Sequence, residues 1–382
     1  MPADAAPFTP APHGAAWETI EPAKAGLDAG KLQAAVDFAV RGESQWPASF
    51  YYPDGRYVGI VEWNETGPWS AIVGPVKPRG GPAGLVLKGG RIAAEWGDTN
   101  RTDMTFSVAK SYLAILAGLA VADGLIAGVD EPVGATVKGP WFESAHNRLI
   151  TWRHLLQQSS EWQGELWGKS DQVDHYRQVG AVADNSRKGE ARKLSPPGSY
   201  YEYNDVRVNQ LSLALLHLFR KPLPEVFREA IMDPVGASRD WRWVGYDDAW
   251  VEIDGQRMQS VPGGTHWGAG VSIGSRDQAR VGQMLLDGGM ANGQRVLSQD
   301  WIGRIRTPCP IAPFYGYLLW LNQGRRVFPS VPESSFFAFG AGSSFTWVEP
   351  ERRMVVVVRW IDADHADGFF REVLDAANQG KV

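Results

Sequence analysis

Ser107-Val108-Ala109-Lys110 sets a hydroxyl and an amine three residues apart, inside an apolar run from Phe106 to Ala122 in which Lys110 carries the only charge. On a helix, positions i and i+3 share a face, so the two groups project side by side. Burial without a carboxylate partner strips hydration from an amine and favours its neutral form, whose lone pair can take a proton. A serine near a helix N-terminus sits where the dipole favours developing negative charge. The pair reads as an activated nucleophile with its own base, Ser107 and Lys110. The same spacing also fits a lysine that snorkels out of a buried helix, and the pair alone is weak evidence.

Two other segments could serve that chemistry. Pro197-Gly198-Ser199-Tyr200-Tyr201-Glu202-Tyr203-Asn204-Asp205 is a turn dense in phenols and acceptors that leads into a helix. A phenol beside an ammonium is easier to deprotonate and can relay a proton, although such a turn can equally pack its rings on the core. Ala338-Phe339-Gly340-Ala341-Gly342-Ser343-Ser344 interrupts two β-rich runs with small residues. Small side chains let a substrate approach the backbone and use its N–H as an oxyanion donor; a plain bulge explains the glycines as well. Gly270-Val271-Ser272-Ile273-Gly274, with His365 downstream, matches a nucleophile elbow, but that reading requires a doubly wound sheet upstream.

The elements that must carry these groups follow from periodicity. Residues 1–27, rich in Pro and Ala, predict a loose N-terminal arm. Leu32, Ala35, Val36, Phe38 and Ala39 recur at helical spacing behind a capping Asp28, which predicts a helix over 28–41. Residues 44–81 read as an irregular insertion, and 84–96 as a hairpin around Gly89-Gly90. From Trp152 to about Gly289 the pattern is mainly helical, with helices over 206–219 and 276–286. Strands return over 336–339, 344–348 and 354–360, followed by a helix over 364–377. Strands at both ends of one chain and helices between them predict α+β rather than alternating βαβ. The expected arrangement is a sheet lobe from about 28–100 and 295–382, and a helical lobe from about 101–294, in one catalytic domain over 28–382. A cleft between lobes is the usual place for a site.

The order Ser-x-x-Lys, then Pro-Gly with a tyrosine five residues after that Gly, then a Gly-containing element before a Val-rich strand resembles the serine β-lactamase and penicillin-binding-protein superfamily. The likeness is closest to its class C β-lactamase-like branch of esterases, D-aminopeptidases and nylon-oligomer hydrolases, and it spans roughly residues 28–378. Asp130-Glu131-Pro132-Val133, His154 to Ser160, Gly270 to Arg280 and Trp347-Val348-Glu349-Pro350 fit it too. The resemblance implies an antiparallel sheet flanked by helices plus a mainly helical lobe. It implies Ser107 as acylated nucleophile, Lys110 as base, and Tyr203 as the tyrosine of a Tyr-x-Asn element. Asp stands in place of the usual Asn, so the orienting group is Asp205 or its neighbour Asn204. The third element, normally Lys/His-Thr/Ser-Gly, aligns with Ala338-Phe339-Gly340 and has lost its cation. Gly340 remains, and the Ala341 N–H matches the donor that joins the Ser107 N–H in an oxyanion hole. His266 and Trp267 fall where related enzymes line the substrate pocket, and Trp162, Trp167 and His175, which follow the loop after Ser160, are candidates for the opposite wall. A packed histidine is the commoner fate of such a residue.

Composition bounds the rest. The chain has 382 residues, 44% apolar and 21% charged, enough for a large two-lobed domain with a sizeable core. A net charge of −5 without a basic run argues against nucleic acid and anionic membrane. The single cysteine, Cys309, allows no internal disulfide and no thiol-rich metal site, and no metal or nucleotide motif is present, so no cofactor is expected. The N-terminal residues lack a basic stretch followed by an apolar core, and no run approaches a membrane span, which predicts a cytoplasmic protein. Seventeen tryptophans suggest an aromatic-lined pocket. The expectation is a serine hydrolase acting on a small-molecule ester or amide, most simply an esterase on uncharged substrates. A β-lactamase or D-amino-acid peptidase, and a catalytically silent binding protein of the same fold, are the alternatives.

Overall fold

The computed structural model describes residues 14, 16–65, 67–180, 183–265 and 267–378. Its frame is a six-stranded sheet in the order Trp320–Leu321, Phe336–Gly340, Ser344–Glu349, Met354–Arg359, Ala83–Lys88 and Arg91–Trp96. Every neighbouring pair runs antiparallel. Strands from the two ends of the chain meet where Ala83–Lys88 pairs Met354–Arg359, with Val86 opposite Val356.

The run Met354-Val355-Val356-Val357-Val358-Arg359 does not alternate because both sheet faces are covered. Leu85, Leu87, Val355 and Val357 pack with Ala279 of the helix Ser275–Leu286. A Cβ on Gly282 of that helix would come within 2.7 Å of Thr346 Cγ2 and 2.8 Å of Val355 Cγ1, so a glycine marks the closest approach to the sheet. Val86, Val356 and Val358 belong to the main core, which takes in the helices Ala29–Arg41 and Ala366–Ala377. Asp28 caps the first of these by accepting from Lys31 N–H.

The α+β expectation matches this architecture, with three differences. Residues from Ala16 onward are not a loose arm. Trp17 Nε1 donates to Gly90 O at 2.9 Å, and Ile20 N–H donates to Ile92 O, also at 2.9 Å, so the segment lies along the sheet edge. A Pro- and Ala-rich composition masked two apolar anchors; residues 1–13 and 15 of the expected arm lie outside the described residues. The helical lobe also contains a small sheet, Asp103–Met104, Gly270–Ile273 and Arg242–Val244 in that order. The edge strand Trp320–Leu321, two residues long, gave no readable alternation.

Candidate active site

Ser107 precedes the helix Val108–Ala122, whose residues are buried on nearly every side. It occupies the capping position, yet its side chain makes no capping bond. Its hydroxyl is therefore uncommitted to the helix. The preceding Phe106 is held at φ 49°, a left-handed conformation uncommon for an aromatic residue. Such strain persists where packing over-determines it. Phe106 is wedged edge-on against Phe50 at 5.6 Å and Trp46 at 5.8 Å between ring centroids. Nothing in the local sequence signals that turn.

Lys110 Nζ lies 2.6 Å from Ser107 Oγ, 2.6 Å from Asp205 Oδ1 and 3.3 Å from Gly263 O. The hydroxyl and amine face each other as the spacing predicts. The expectation of a lysine without a carboxylate partner is overturned: the charge-free run describes only chain neighbours, and Asp205 arrives from another helix. Both side chains of the pair are 1% exposed. Gly263 O is held in place because Asn209 Oδ1 accepts from the N–H groups of Gly263 and Gly264 at 3.0 and 2.9 Å. As an ammonium, Lys110 donates to Ser107 Oγ and Gly263 O and pairs with the Asp205 carboxylate by charge; as a neutral amine it accepts from the Ser107 hydroxyl. The geometry accommodates both.

The helix Asp205–Phe219 brings the second segment to this point. Of the two alternatives for the orienting group, Asp205 is the one that meets Lys110. Asn204 instead caps the helix, accepting from Arg207 N–H, and its Nδ2 donates to Asp171 O at 2.8 Å. Lys110 Nζ lies 4.7 Å from the centroid of the buried Tyr203 ring. Arg177, absent from the sequence reading, has its guanidinium carbon 5.1 Å from the same ring. A Cβ on Gly340 would sit 1.8 Å from Thr105 O and 3.3 Å from Ser107 N, so only glycine lets the strand end abut the turn that presents Ser107. Ala341 follows directly and is partly exposed.

Two sets of partly exposed rings border these groups. Trp46 and Trp63, from the insertion at 44–81, pack with Phe106 at 5.8 and 6.2 Å. Tyr201, Phe314 and Phe339 group around Trp320 near Tyr203. Of the rings expected to line the pocket, Trp162 is sealed in the core with its Nε1 donating to Trp141 O at 2.9 Å. Trp267 is buried beneath Lys169 Nζ, 5.0 Å from its centroid. His175 is buried and bonded to Asp171 at 3.2 Å, and His266 lies outside the described residues. Ser272 sits within a strand opposite Met104 and Arg242 rather than on a turn, and a Cβ on Gly42 would meet the His365 ring, which places that histidine against the helix Ala29–Arg41. An elbow needs serine and histidine together. Among the described residues, no cluster of three or more His, Cys, Asp or Glu is arranged to hold a metal ion.

Buried charge surrounds the site in two networks that local sequence patterns did not reveal. In the first, Lys110 and Arg177 share Asp205 Oδ1, the latter at 3.2 Å. Arg177 also reaches Asp174 at 3.3 Å, Lys188 meets Asp174 at 3.5 Å, and Lys188 meets Glu65 at 2.8 Å. Burial disfavours the Arg177 cation, but Asp174 and Asp205 outweigh it and raise its pKa. In the second, Arg207 contacts Glu161, Asp171 and Glu202, and Arg192 contacts Glu161 and Glu202. Tyr201, Tyr246 and Tyr315 are pushed well above the usual phenol range, by burial first, and stay neutral.

A family model described as Beta-lactamase matches residues 80–372. The 6-aminohexanoate-dimer hydrolase of Paenarthrobacter ureafaciens is 44% identical over 57 residues, a segment covering 14% of either chain. Among solved structures, EstCE1, a hydrolase with promiscuous acyltransferase activity, superposes with a TM-score of 0.56 at 16% identity, covering 91% of this chain and 98% of that one. A penicillin-binding protein from Bacillus halodurans gives a TM-score of 0.52 at 18% identity, over 84% and 97% of the two chains. At these identities the structural likeness speaks for the fold.

Proposed function

The chain belongs to the Beta-lactamase family and is a serine hydrolase, and on that premise we propose that it cleaves an uncharged carboxylic ester through an acyl enzyme on Ser107. The observation that carries this is the 2.6 Å contact between Ser107 Oγ and Lys110 Nζ, on a serine whose side chain has no capping duty. Neutral Lys110 takes the hydroxyl proton as Oγ bonds to the carbonyl carbon. The oxyanion is met by the N–H groups of Ser107 and Ala341, which the glycine at 340 allows to converge. Tyr203, beside Lys110, delivers a proton to the departing alkoxide and is reprotonated by Lys110, which becomes neutral again. Water then gives a proton to the same groups as it bonds to the acyl carbon, the carbonyl–Oγ bond breaks, and that proton returns to Ser107 Oγ as the acid leaves.

Specificity follows from what borders the serine. The third element carries Ala338 where a cation would hold a substrate carboxylate, and the Arg177 side chain is only 5% exposed. The rings of Trp46, Trp63, Phe314 and Phe339 favour an apolar acyl or alcohol part. An amide is the second reading, favoured by the segment shared with a 6-aminohexanoate-dimer hydrolase. The test is kcat/KM for a short p-nitrophenyl ester, the linear 6-aminohexanoate dimer and a chromogenic cephalosporin. Ester turnover exceeding both supports the proposal. Lactam turnover without ester turnover overturns it.

A further inference from the structure

A carboxylate 2.6 Å from Lys110 stabilises its ammonium and so works against its use as a base. We infer that Arg177 is the positioning residue that cancels Asp205, so that the Asp205–Arg177 pair presents Lys110 with nearly the neutral surroundings an asparagine would give. The inference rests on the acyl-enzyme reading above and deepens it. Both cations lie on one oxygen, Asp205 Oδ1, at 2.6 and 3.2 Å. A guanidinium keeps its charge throughout the working pH range, whereas an amine can yield its proton. When Lys110 is neutral, Asp205 therefore still has a cationic partner and is not left as a lone buried charge.

The described groups near this pair add hydroxyls and alternating charge. Ser107, Tyr246 and Tyr315 supply hydroxyls and Tyr203 its ring face, and burial keeps the phenols of Tyr246 and Tyr315 neutral. Beyond Arg177, Asp174, Lys188 and Glu65 continue the alternation of sign. Among the described residues of this line, Lys110, Arg177 and Lys188 alternate with Asp205, Asp174 and Glu65. The position of Arg177 is built in: Tyr176 before it is held at φ 60°, with its N–H donating to Glu202 at 3.0 Å and its ring beneath Arg187 at 4.0 Å. With 5% of its side chain exposed, Arg177 acts through Asp205 and not on substrate.

The test is the pH dependence of the acylation burst of Ser107 with p-nitrophenyl acetate, in wild type, Arg177→Gln, Asp205→Asn and the double variant. Arg177→Gln is expected to move the acidic limb upward by about 1–2 pH units and to slow acylation at neutral pH about 10-fold or more. Asp205→Asn should move the limb downward, and the double variant should return it close to wild type. Arg177→Lys keeps the charge and should leave the limb in place. Should Arg177→Gln not fold, the rise of the limb from Asp205→Asn to the double variant still decides the matter, and no rise overturns the inference. A limb that stays put in Arg177→Gln, or that keeps its shift in the double variant, overturns the inference while the acyl enzyme stands. A wild-type Ser107 that is never acylated overturns the acyl-enzyme reading itself, and this inference with it.

Discussion

The two buried charge networks are assembled from the same elements and face different demands. The turn Asp171–Asp174 gives Asp174 to one and Asp171 to the other. The start of the helix Asp205–Phe219 likewise gives Asp205 to one and Arg207 to the other. The Arg207 network is a hub: one guanidinium touches Glu161, Asp171 and Glu202, and the fit between them fixes how loops join the helical lobe. The Lys110 network is a line that ends at a serine hydroxyl. A buried ion pair alone says little about function, since it is commonly neutral in stability and costly to break. In the proposed chemistry, what distinguishes the line is that Lys110 passes a proton to and from Ser107 while Asp205 keeps Arg177 as a partner.

Variants that separate the two networks test this difference. Lys110→Met should lower kcat by about 10³-fold or more, while thermal unfolding moves little because Asp205 retains Arg177. Arg207→Met should do the reverse, destabilising the protein by about 3–5 kcal/mol by denaturant unfolding while folded molecules still acylate, because it strands buried carboxylates. Equal effects of both variants on activity would erase the contrast. Gly340→Ala should cost about 10²-fold in kcat/KM, because the new methyl must displace Thr105 O and spread the oxyanion donors.

Acid should act through the hub. Burial raises Glu161 and Asp171, but Arg192 and Arg207 for the first, and His175 and Arg207 for the second, outweigh it and hold both below their ordinary values. Folded carboxylates that bind protons more weakly than unfolded ones contribute fully above the ordinary range near pH 4 and lose that contribution as pH falls below it. The urea midpoint should therefore drop on acidification, and drop less in Arg207→Met. The smallest effect is expected at the rim: Trp63→Ala should raise KM for aryl or long-chain esters about 3–10-fold and leave acetate esters nearly unchanged.

The frame of the fold was legible because its signals are local. Hydrophobic spacing marked Ala29–Arg41, Gly89-Gly90 marked the hairpin, and the valine run marked the doubly covered strand. Ser107, Lys110 and Tyr203 were readable as an ordered pattern, and the structure brings them together. The electrostatic setting was not readable. Asp205, Arg177, Lys188 and Glu65 are far from Lys110 in sequence, and no periodicity says which charges will share a cavity. The same limit hid the turn at Phe106, which tertiary packing imposes. It also hid the burial of Trp162 and Trp267, since a tryptophan looks the same in a sequence whether it lines a cleft or fills a core.

The most direct measurement is acid-quenched peptide mapping by mass spectrometry after brief exposure to a p-nitrophenyl ester. One acyl group on the peptide containing Ser107, absent in Ser107→Ala, is the predicted result. An acyl group on another residue such as Ser272, or none on a protein that still releases p-nitrophenol, would contradict the account.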